Sequence, residues 1–238
     1  RDRCDQHLFT KLTIKIKPFL IKLDAGPIDP RKSTGIHLDP AQFHHLMNQE
    51  DTLVLDVRSN YEHHLGKFKN AITLDINNFY DLPEALKTHP LYLDPQNKSK
   101  KILTYCTGGV KCETASSYLQ KLGFQNVYQL RGGIINYSHQ MKGVDFQGSC
   151  YVFDGRITKQ VNQVNPVIIS KCWFCNHDCD IAVNCRNSKC DRRMTSCQDC
   201  FQVHQGCCSI SCISTGKVRK RTPNYFVSGV VNKTAVSI

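Results

Sequence analysis

The chain has 238 residues, 14 of them cysteines, and its formal charge of +11 reflects 31 lysines and arginines against 20 acidic residues. A chain of this length can form one domain with a sizeable core and a smaller additional module. No apolar run reaches the ~18 residues that a membrane-spanning helix requires, which excludes a helical membrane protein and predicts a soluble one.

The first predicted element is a helix over AQFHHLMNQ (41–49), because Asp39 is a favourable N-cap and Pro40 a favourable first helical residue. Short apolar runs then alternate with segments that have helical spacing. These runs lie at 53–57, 71–74, 102–105 and 126–130. The alternation predicts an α/β fold in which a parallel sheet carries helices on both faces.

Charged residues close the apolar run at 53–57. Asp56 and Arg58 stand two residues apart at the end of this predicted strand, and Glu62 follows four residues after Arg58. This spacing is typical of an ion pair that stabilises a strand end. We therefore predict a supporting, structural role for Asp56 and Arg58.

The sequence CTGGVKCE (106–113) carries the clearest chemical signal in the chain. KILTY (101–105) predicts a buried strand, and ETASSYLQKLGF (113–124) has helical apolar spacing with Gly123 as a stop signal. Cys106 therefore lies at the carboxyl end of a strand, where parallel sheets place their sites. Loop N–H groups and the helix dipole favour the thiolate there and lower the pKa from its ordinary ~8.5.

We predict that Cys106 is the reactive nucleophile and that the residues after it form an active-site loop. The loop residues are Thr107, Gly108, Gly109, Val110, Lys111 and Cys112. Both glycines are expected to adopt positive φ and bring the backbone close to the sulfur. Cys112 either packs under the loop or forms a disulfide with an oxidised Cys106. The alternative for the whole stretch is a buried structural cysteine beside a glycine turn.

Ten cysteines fall between Cys172 and Cys212. Such density would mean disulfides in a secreted protein, but a free Cys106 thiolate requires a reducing compartment, which predicts a cytoplasmic location and makes metal the better interpretation. Two CxxC pairs separated by 21 residues predict one structural zinc site. Its ligands are Cys172, Cys175, Cys197 and Cys200.

A second zinc site is expected to interleave with the first along the chain. Its candidate ligands are Cys185, Cys190, Cys208 and Cys212, with Cys179, Cys207, His177 and His204 as spare candidates. Few large apolar residues are available in this segment, so metal would have to replace a core. The alternative is a disulfide-linked or disordered tail.

The basic charge is concentrated towards the end of the chain. Residues 151–238 hold 12 lysines and arginines against 5 acidic residues. Such an excess is compatible with binding to a nucleic-acid backbone, although a solvated tail without a partner would have the same composition. The candidate RNA-binding residues are Lys217, Arg219, Lys220 and Arg221.

Three signatures in order give the chain a resemblance to the rhodanese family. They are the strand ending at Asp56 and Arg58 with the segment GKFKNA (66–71), the loop CTGGVKCE, and the turn LRGGIINY (130–137). The resemblance implies a five-stranded parallel sheet. The six residues from Cys106 to Lys111 resemble the sulfur-carrying branch of this family, whereas the related phosphatases use a longer loop.

The loop, its distance to LRGGIINY and the later CYVFDGR (150–156) together resemble the rhodanese-like tRNA uridine hydroxylases. This resemblance implies oxygen-dependent 5-hydroxylation of the wobble uridine, with tRNA as partner. Molecular oxygen would be the co-substrate, and the sequence contains no flavin, haem or iron signature. The oligomeric state is left open.

The resemblance also implies a division of the chain into five segments. These are a remnant of an N-terminal acylphosphatase-like domain with its linker (1–37), a rhodanese-like domain (38–145), a bridge (146–167), a cysteine-rich zinc module (168–213) and a basic tail (214–238). Within the first segment, the stretch from 12 onward is expected to hold the last strand of that domain, most of which would be missing.

Two other functions are compatible with the same residues. In a sulfurtransferase, Cys106 would accept sulfur from a donor such as thiosulfate and pass the persulfide sulfur on. In a non-catalytic protein, a zinc module would bind RNA or act as an adaptor, and the loop would be vestigial. The intact Cys106 and its six-residue loop argue against this last interpretation.

Overall fold

A computed structural model describes residues 12–17, 21–154, 156–215 and 218–219. Strands are β1 Ile36–Leu38, β2 Thr52–Asp56, β3 Gly66–Phe68, β4 Ile72–Thr73, β5 Lys101–Tyr105, β6 Asn126–Leu130, β7 Phe146–Tyr151, β8 Thr158–Gln160, β9 Ala182–Asn184 and β10 Arg193–Thr195. Helices are α1 Pro40–Met47, α2 Asn60–His63, α3 Leu82–Lys87, α4 Pro90–Leu93, α5 Val110–Lys121, α6 Gly133–Met141, α7 Gln198–Val203 and α8 Ile210–Ser214, with 3-10 turns at Phe79–Asp81 and Pro95–Lys98.

Five parallel strands form the central sheet in the order β1-β6-β5-β2-β4. This confirms the predicted α/β fold and the five-stranded parallel sheet. The predicted helix after Asp39 is also confirmed as α1. The Asp39 carboxylate accepts the Gln42 N–H at 2.9 Å, and the Gln42 side chain accepts the Asp39 N–H at 3.0 Å.

Helices cover both faces of the sheet, as predicted. On one face, Leu55 and Ile102 pack with Leu119 of α5 in one apolar cluster. On the other face, Leu103 packs in a second cluster with Phe43 of α1 and further residues of α6. Neighbouring residues of β5 thus point to opposite faces, because side chains alternate along a strand.

The sheet begins earlier than expected. Strand β1 starts at Ile36, inside the segment predicted as linker, and pairs with β6 through Ile36 and Tyr128. The expected strand from 12 onward is not formed within 12–17, where Leu12, Ile14 and Ile16 are exposed. A strand is stable only where a neighbouring strand forms hydrogen bonds with its backbone. Within the described residues, no strand pairs with residues 12–17.

A second sheet, β3-β7-β8, was not expected from the sequence. It is antiparallel and contains residues of the predicted bridge, with Phe68 paired to Phe146. A hairpin of β9 and β10 follows in the cysteine-rich segment. None of the helices in the described ranges has the length and apolar character needed to span a lipid bilayer.

Candidate functional site

Cys106 lies between the end of β5 and the start of α5. Gly109 forms the amino-terminal cap of α5 with φ of +88°. Its N–H donates to Cys106 Sγ at 3.1 Å, and Cys106 is only 3% exposed. The strand-to-helix turn therefore holds the sulfur against a backbone donor.

These surroundings lower the pKa of Cys106 to about 7. The largest cause is a hydrogen bond from the Cys112 thiol, which stabilises the thiolate against the opposing effect of burial. The backbone N–H groups of Lys111 and Cys112 and the positive charge of Lys111 lower the pKa further. Cys106 is consequently ionised to a large extent near neutral pH, in the form that acts as a nucleophile.

Cys112 is wholly buried in the first turn of α5. Burial, and then the neighbouring Cys106, raise its pKa well above the usual thiol value, so it stays protonated. Cys112 therefore lies under the loop, as one interpretation of the sequence expects. It is also within hydrogen-bonding reach of Cys106, as a disulfide partner would have to be.

The two loop glycines have different surroundings, which corrects the expectation that both adopt positive φ. Only Gly109 does so, and a Cβ there would lie 3.3 Å from the Gly132 nitrogen. Gly108 has an ordinary φ, and a Cβ on it would meet no atom within 4 Å. The approach to the loop is therefore open at Gly108, whereas Gly109 faces the backbone of Gly132 and Gly133.

The turn LRGGIINY packs the amino end of α6 onto the loop backbone. The N–H of Ile134 donates to the Cys106 carbonyl at 3.0 Å, and that of Ile135 donates to the Thr107 carbonyl at 3.2 Å. A Cβ on Gly133 would lie 2.4 Å from the Cys106 carbonyl oxygen. Glycine is thus required for this close approach, which fixes the loop from the side of α6.

Glu62 is a site residue that sequence reasoning did not select. Its side chain is fully buried and its Oε2 lies 2.5 Å from Lys111 Nζ. Its Oε1 accepts a hydrogen bond from Thr107 Oγ1 at 3.3 Å. Glu62 therefore holds the loop at two residues. Its spacing from Arg58 was the only signal in the sequence.

Asp56 and Arg58 form an ion pair with both side chains fully buried. Arg58 donates to the two Asp56 oxygens, with the shorter contact at 2.6 Å, and also to the Gly66 carbonyl at 2.6 Å. The Tyr105 hydroxyl donates to Asp56 at 2.6 Å. These contacts join the end of β2 to β3 and to Tyr105, the residue directly before Cys106.

Residues 150–153 lie beside the same loop. Thr107 Oγ1 lies 3.5 Å from the Tyr151 carbonyl oxygen, and Lys111 Nζ lies 5.6 Å from the centre of the Phe153 ring. Cys150 is wholly enclosed, and burial raises its pKa, which keeps it protonated. Sequence reasoning used this segment for the family resemblance but missed its contact with the loop.

The structure brings the eight candidate metal ligands into two groups, each able to hold a metal ion. In each group the sulfur atoms all lie within 4.8 Å of one another. The groups are Cys172, Cys175, Cys197, Cys200 and Cys185, Cys190, Cys208, Cys212. The two sets interleave along the chain, as expected. The spare candidates Cys179, Cys207, His177 and His204 belong to neither group among the described residues.

The ligands of the two cysteine groups lie on or next to the short strands and helices of this segment. Cys185 follows β9, Cys197 follows β10 and caps α7, and Cys212 lies within α8. Among the described residues, the buried apolar cluster of this segment contains three residues, Val183, Met194 and Phe201, and three partly buried residues pack against it. So small a core would leave the segment marginal without further links between its elements.

The candidate RNA-binding residues are only partly within the described structure. Arg219 is about half exposed and pairs with Asp191 at 2.7 Å. Lys217, Lys220 and Arg221 lie outside the described residues.

Two family descriptions match consecutive parts of the chain. Residues 39–140 match the family described as rhodanese-like domain, and residues 147–213 match the one described as rhodanase C-terminal. Among solved structures, a rhodanese-related protein from Thermoplasma volcanium is 25% identical, with a TM-score of 0.36 over 44% of this chain and 92% of that chain.

Two curated relatives align with most of the chain. The first, from Cytophaga hutchinsonii, is named tRNA uridine(34) hydroxylase and is 50% identical over 87% of this chain and 64% of that protein. The second, with the same name, comes from Aster yellows witches'-broom phytoplasma and is 40% identical over 89% of this chain and 68% of that protein. The chain thus spans about two thirds of the length of these relatives. It belongs to the rhodanese-like tRNA uridine(34) hydroxylase family.

Proposed function

We propose that this protein modifies tRNA by hydroxylating C5 of the wobble uridine, with Cys106 as the reactive thiolate and molecular oxygen as co-substrate. The observation that carries the proposal is the position of Cys106 in a strand-to-helix loop, with the Gly109 N–H on its sulfur, in a chain that is 50% identical to a protein named tRNA uridine(34) hydroxylase. These surroundings lower the pKa of Cys106 to about 7. A nucleophilic thiolate at an open loop suits addition to C6, the electrophilic carbon of the pyrimidine ring, which leaves C5 electron-rich for reaction with oxygen. One atom of O2 would enter the base at C5 and the other would leave as water, with the two electrons supplied by a thiol reductant, and the thiolate would then leave C6.

Each part of the loop has a defined task in this proposal. The N–H of Gly109 and the thiol of Cys112 hold the negative sulfur. Lys111 adds positive charge and is itself positioned by Glu62. The target uridine leaves the anticodon stack and approaches over Gly108, where the surface is open.

We propose zinc as the metal of both cysteine groups. Four thiolates without any carboxylate or imidazole form a closed tetrahedral donor set, which structural zinc prefers and magnesium or calcium does not. Metal–thiolate bonds would link elements that have only a small shared core. The zinc sites would be structural, and with the free Cys106 thiolate they fit a reducing, cytoplasmic location.

We also propose that the chain is organised as a rhodanese-like domain and a zinc module that share the face next to Cys106. The matched ranges 39–140 and 147–213 support this division. The basic residues Lys217, Arg219, Lys220 and Arg221 would contact the tRNA backbone.

Nucleoside mass spectrometry tests the function directly. tRNA from a strain that lacks the gene should lose 5-hydroxyuridine and the modifications derived from it. Wild-type protein should restore them, and the Cys106→Ser variant should not, because a serine hydroxyl is not ionised by the loop donors. Retained zinc content and circular dichroism in this variant would show that it is folded.

Nucleoside mass spectrometry also distinguishes the proposed hydroxylase from the main alternative, a sulfurtransferase. A buried thiolate surrounded by N–H donors would also carry a persulfide sulfur, so a sulfurtransferase has the same loop chemistry. Loss of thiolated bases with unchanged hydroxylated ones would identify the sulfurtransferase. Normal levels of both in the deletion strain would contradict either reaction.

A further inference from the structure

Three aromatic rings form a line that leads to the Cys106 loop. Tyr61 and Tyr151 have ring centres 4.9 Å apart, and Tyr151 and Phe153 have centres 5.3 Å apart, both edge to face. The guanidinium of Arg193 lies 4.2 Å from the Tyr61 ring at one end. Lys111 Nζ lies 5.6 Å from the Phe153 ring at the other. The aromatic line therefore has a cation at each end.

The rings differ sharply in exposure. Tyr151 is 8% exposed and belongs to a small apolar cluster with Leu65 and Ala182. Phe153 is 58% exposed, although Tyr151 and Lys111 both contact it. Tyr151 thus packs against Phe153 from the protein side, and more than half of the Phe153 side chain remains exposed to solvent.

Phe153 also lies at the rim of the active-site loop. Its neighbour Lys111 lends a backbone N–H and its charge to the Cys106 sulfur. The hydroxyl oxygen of Thr107, which directly follows Cys106, lies 3.5 Å from the Tyr151 carbonyl oxygen. The Phe153 ring thus lies next to Lys111, which itself interacts with the Cys106 sulfur.

We propose that Phe153 is a stacking platform for an unstacked pyrimidine base of RNA, and that Arg193 contacts a phosphate of the same strand. This inference rests on the proposed function, in which a uridine must leave the anticodon stack to reach Cys106. An extruded base is held by stacking on an aromatic side chain, and such proteins pair aromatic platforms with basic residues that track the backbone. The combination of exposed ring and flanking cations is the chemistry that recognises single-stranded nucleic acid.

Binding to two anticodon stem-loop RNAs tests the platform. One RNA carries uridine at position 34, and the other carries an abasic sugar there. Stacking of one base is expected to make the wild-type protein bind the uridine RNA about 5-fold to about 150-fold more tightly. Phe153→Ala should lose this preference, and Phe153→Trp should keep it because tryptophan also offers a ring face.

Tyr80→Ala is a matched control. Tyr80 is an exposed aromatic residue with Lys22 Nζ 5.8 Å from its ring, but it lies in the 3-10 turn Phe79–Asp81. This variant should keep the wild-type preference for uridine. The rate at which iodoacetamide alkylates Cys106 should be unchanged in Phe153→Ala, which would show that the loop is intact.

The results separate the platform from the reaction. An unchanged uridine preference in Phe153→Ala, or none in the wild type, would overturn the stacking site even if tRNA is hydroxylated. The opposite combination is also informative. If the uridine preference depends on Phe153 but the nucleoside assay finds no modified uridine, the stacking site is supported and the hydroxylation is refuted.

Discussion

The Glu62 carboxylate lies 2.5 Å from the Lys111 ammonium, with Glu62 wholly enclosed and Lys111 18% exposed. These residues come from different motifs, 49 positions apart. Their contact joins the region after β2 to the loop that carries Cys106. Because Glu62 is more deeply buried than Lys111, the loss of Lys111 should change the free energy of unfolding by a different amount from the loss of Glu62.

Lys111→Met should destabilise the protein more than Glu62→Gln. Without Lys111 the buried carboxylate has lost its counter-charge, which costs about 3–5 kcal/mol of unfolding free energy. Without the Glu62 charge, Lys111 can reach water, and the cost should be about 1–3 kcal/mol. Urea unfolding of both variants and of the double variant measures the difference. A double variant as unstable as the sum of the two would show that the residues do not interact.

The reactivity of Cys106 should depend on pH with a midpoint of about 7. Its lowered pKa means that the thiolate fraction, and hence the rate of alkylation by iodoacetamide, rises as pH increases through that value. The stability that comes from the lowered pKa is complete above the ordinary thiol pKa and is lost as pH falls through about 7.

Cys112 should control that midpoint. Cys112→Ala removes the main donor to the Cys106 sulfur and should move the midpoint up towards ~8.5. Cys112→Ser keeps a donor and should move it less. Equal midpoints in wild type and Cys112→Ala would contradict the assigned hydrogen bond. Equal loss of tRNA modification in Cys112→Ser and Cys106→Ser would favour a disulfide-forming pair.

The two loop glycines should tolerate substitution differently. Gly108→Leu places a side chain in open space, so the unfolding free energy should stay within about 0.5 kcal/mol of wild type. It should nevertheless block tRNA modification while small reagents still alkylate Cys106. Gly109→Ala must hold alanine at a φ of +88° and should cost about 1–2 kcal/mol. Full modification by Gly108→Leu would show that the base approaches elsewhere.

Elemental analysis of protein purified under reducing conditions should find two zinc ions per chain. Cys175→Ser and Cys190→Ser should each lose one ion, since each removes a ligand of a different group. Cys179→Ser is the matched control and should retain both, because Cys179 is buried outside the groups. A strong chelator should unfold the cysteine module and spare the parallel sheet, whose core is apolar. A chain without zinc, or with iron, would contradict the structural zinc assignment.

The basic tail should make RNA binding sensitive to salt. Replacement of Lys217, Arg219, Lys220 and Arg221 by alanine should lower the log–log slope by roughly 0.7–0.9 for each lost phosphate contact. The choice of uridine should not change, because phosphate contacts carry no sequence information. Asp191→Asn frees Arg219 from its ion pair and should not weaken binding. Unchanged slope and affinity in the quadruple variant would show that the tail does not bind RNA.

Local patterns in the sequence were sufficient for much of this protein. The parallel sheet, helix α1 and the turn that holds Cys106 follow from apolar spacing, an N-cap and glycine placement, all of which act over a few residues. The two CxxC pairs likewise predicted one cysteine group, because a two-residue gap lets both sulfurs face one ion.

Only the tertiary structure decided which distant side chains meet. It paired β1 with β6, brought Glu62 to Lys111, distinguished Gly108 from Gly109 and placed Phe153 beside the loop. Such contacts depend on how whole elements pack, and hydrophobic spacing specifies which face of an element is buried but not which residue lies opposite. The strand-to-helix turn that carries Cys106 could therefore be predicted from the sequence, whereas the residues that position this loop and line its rim required the fold.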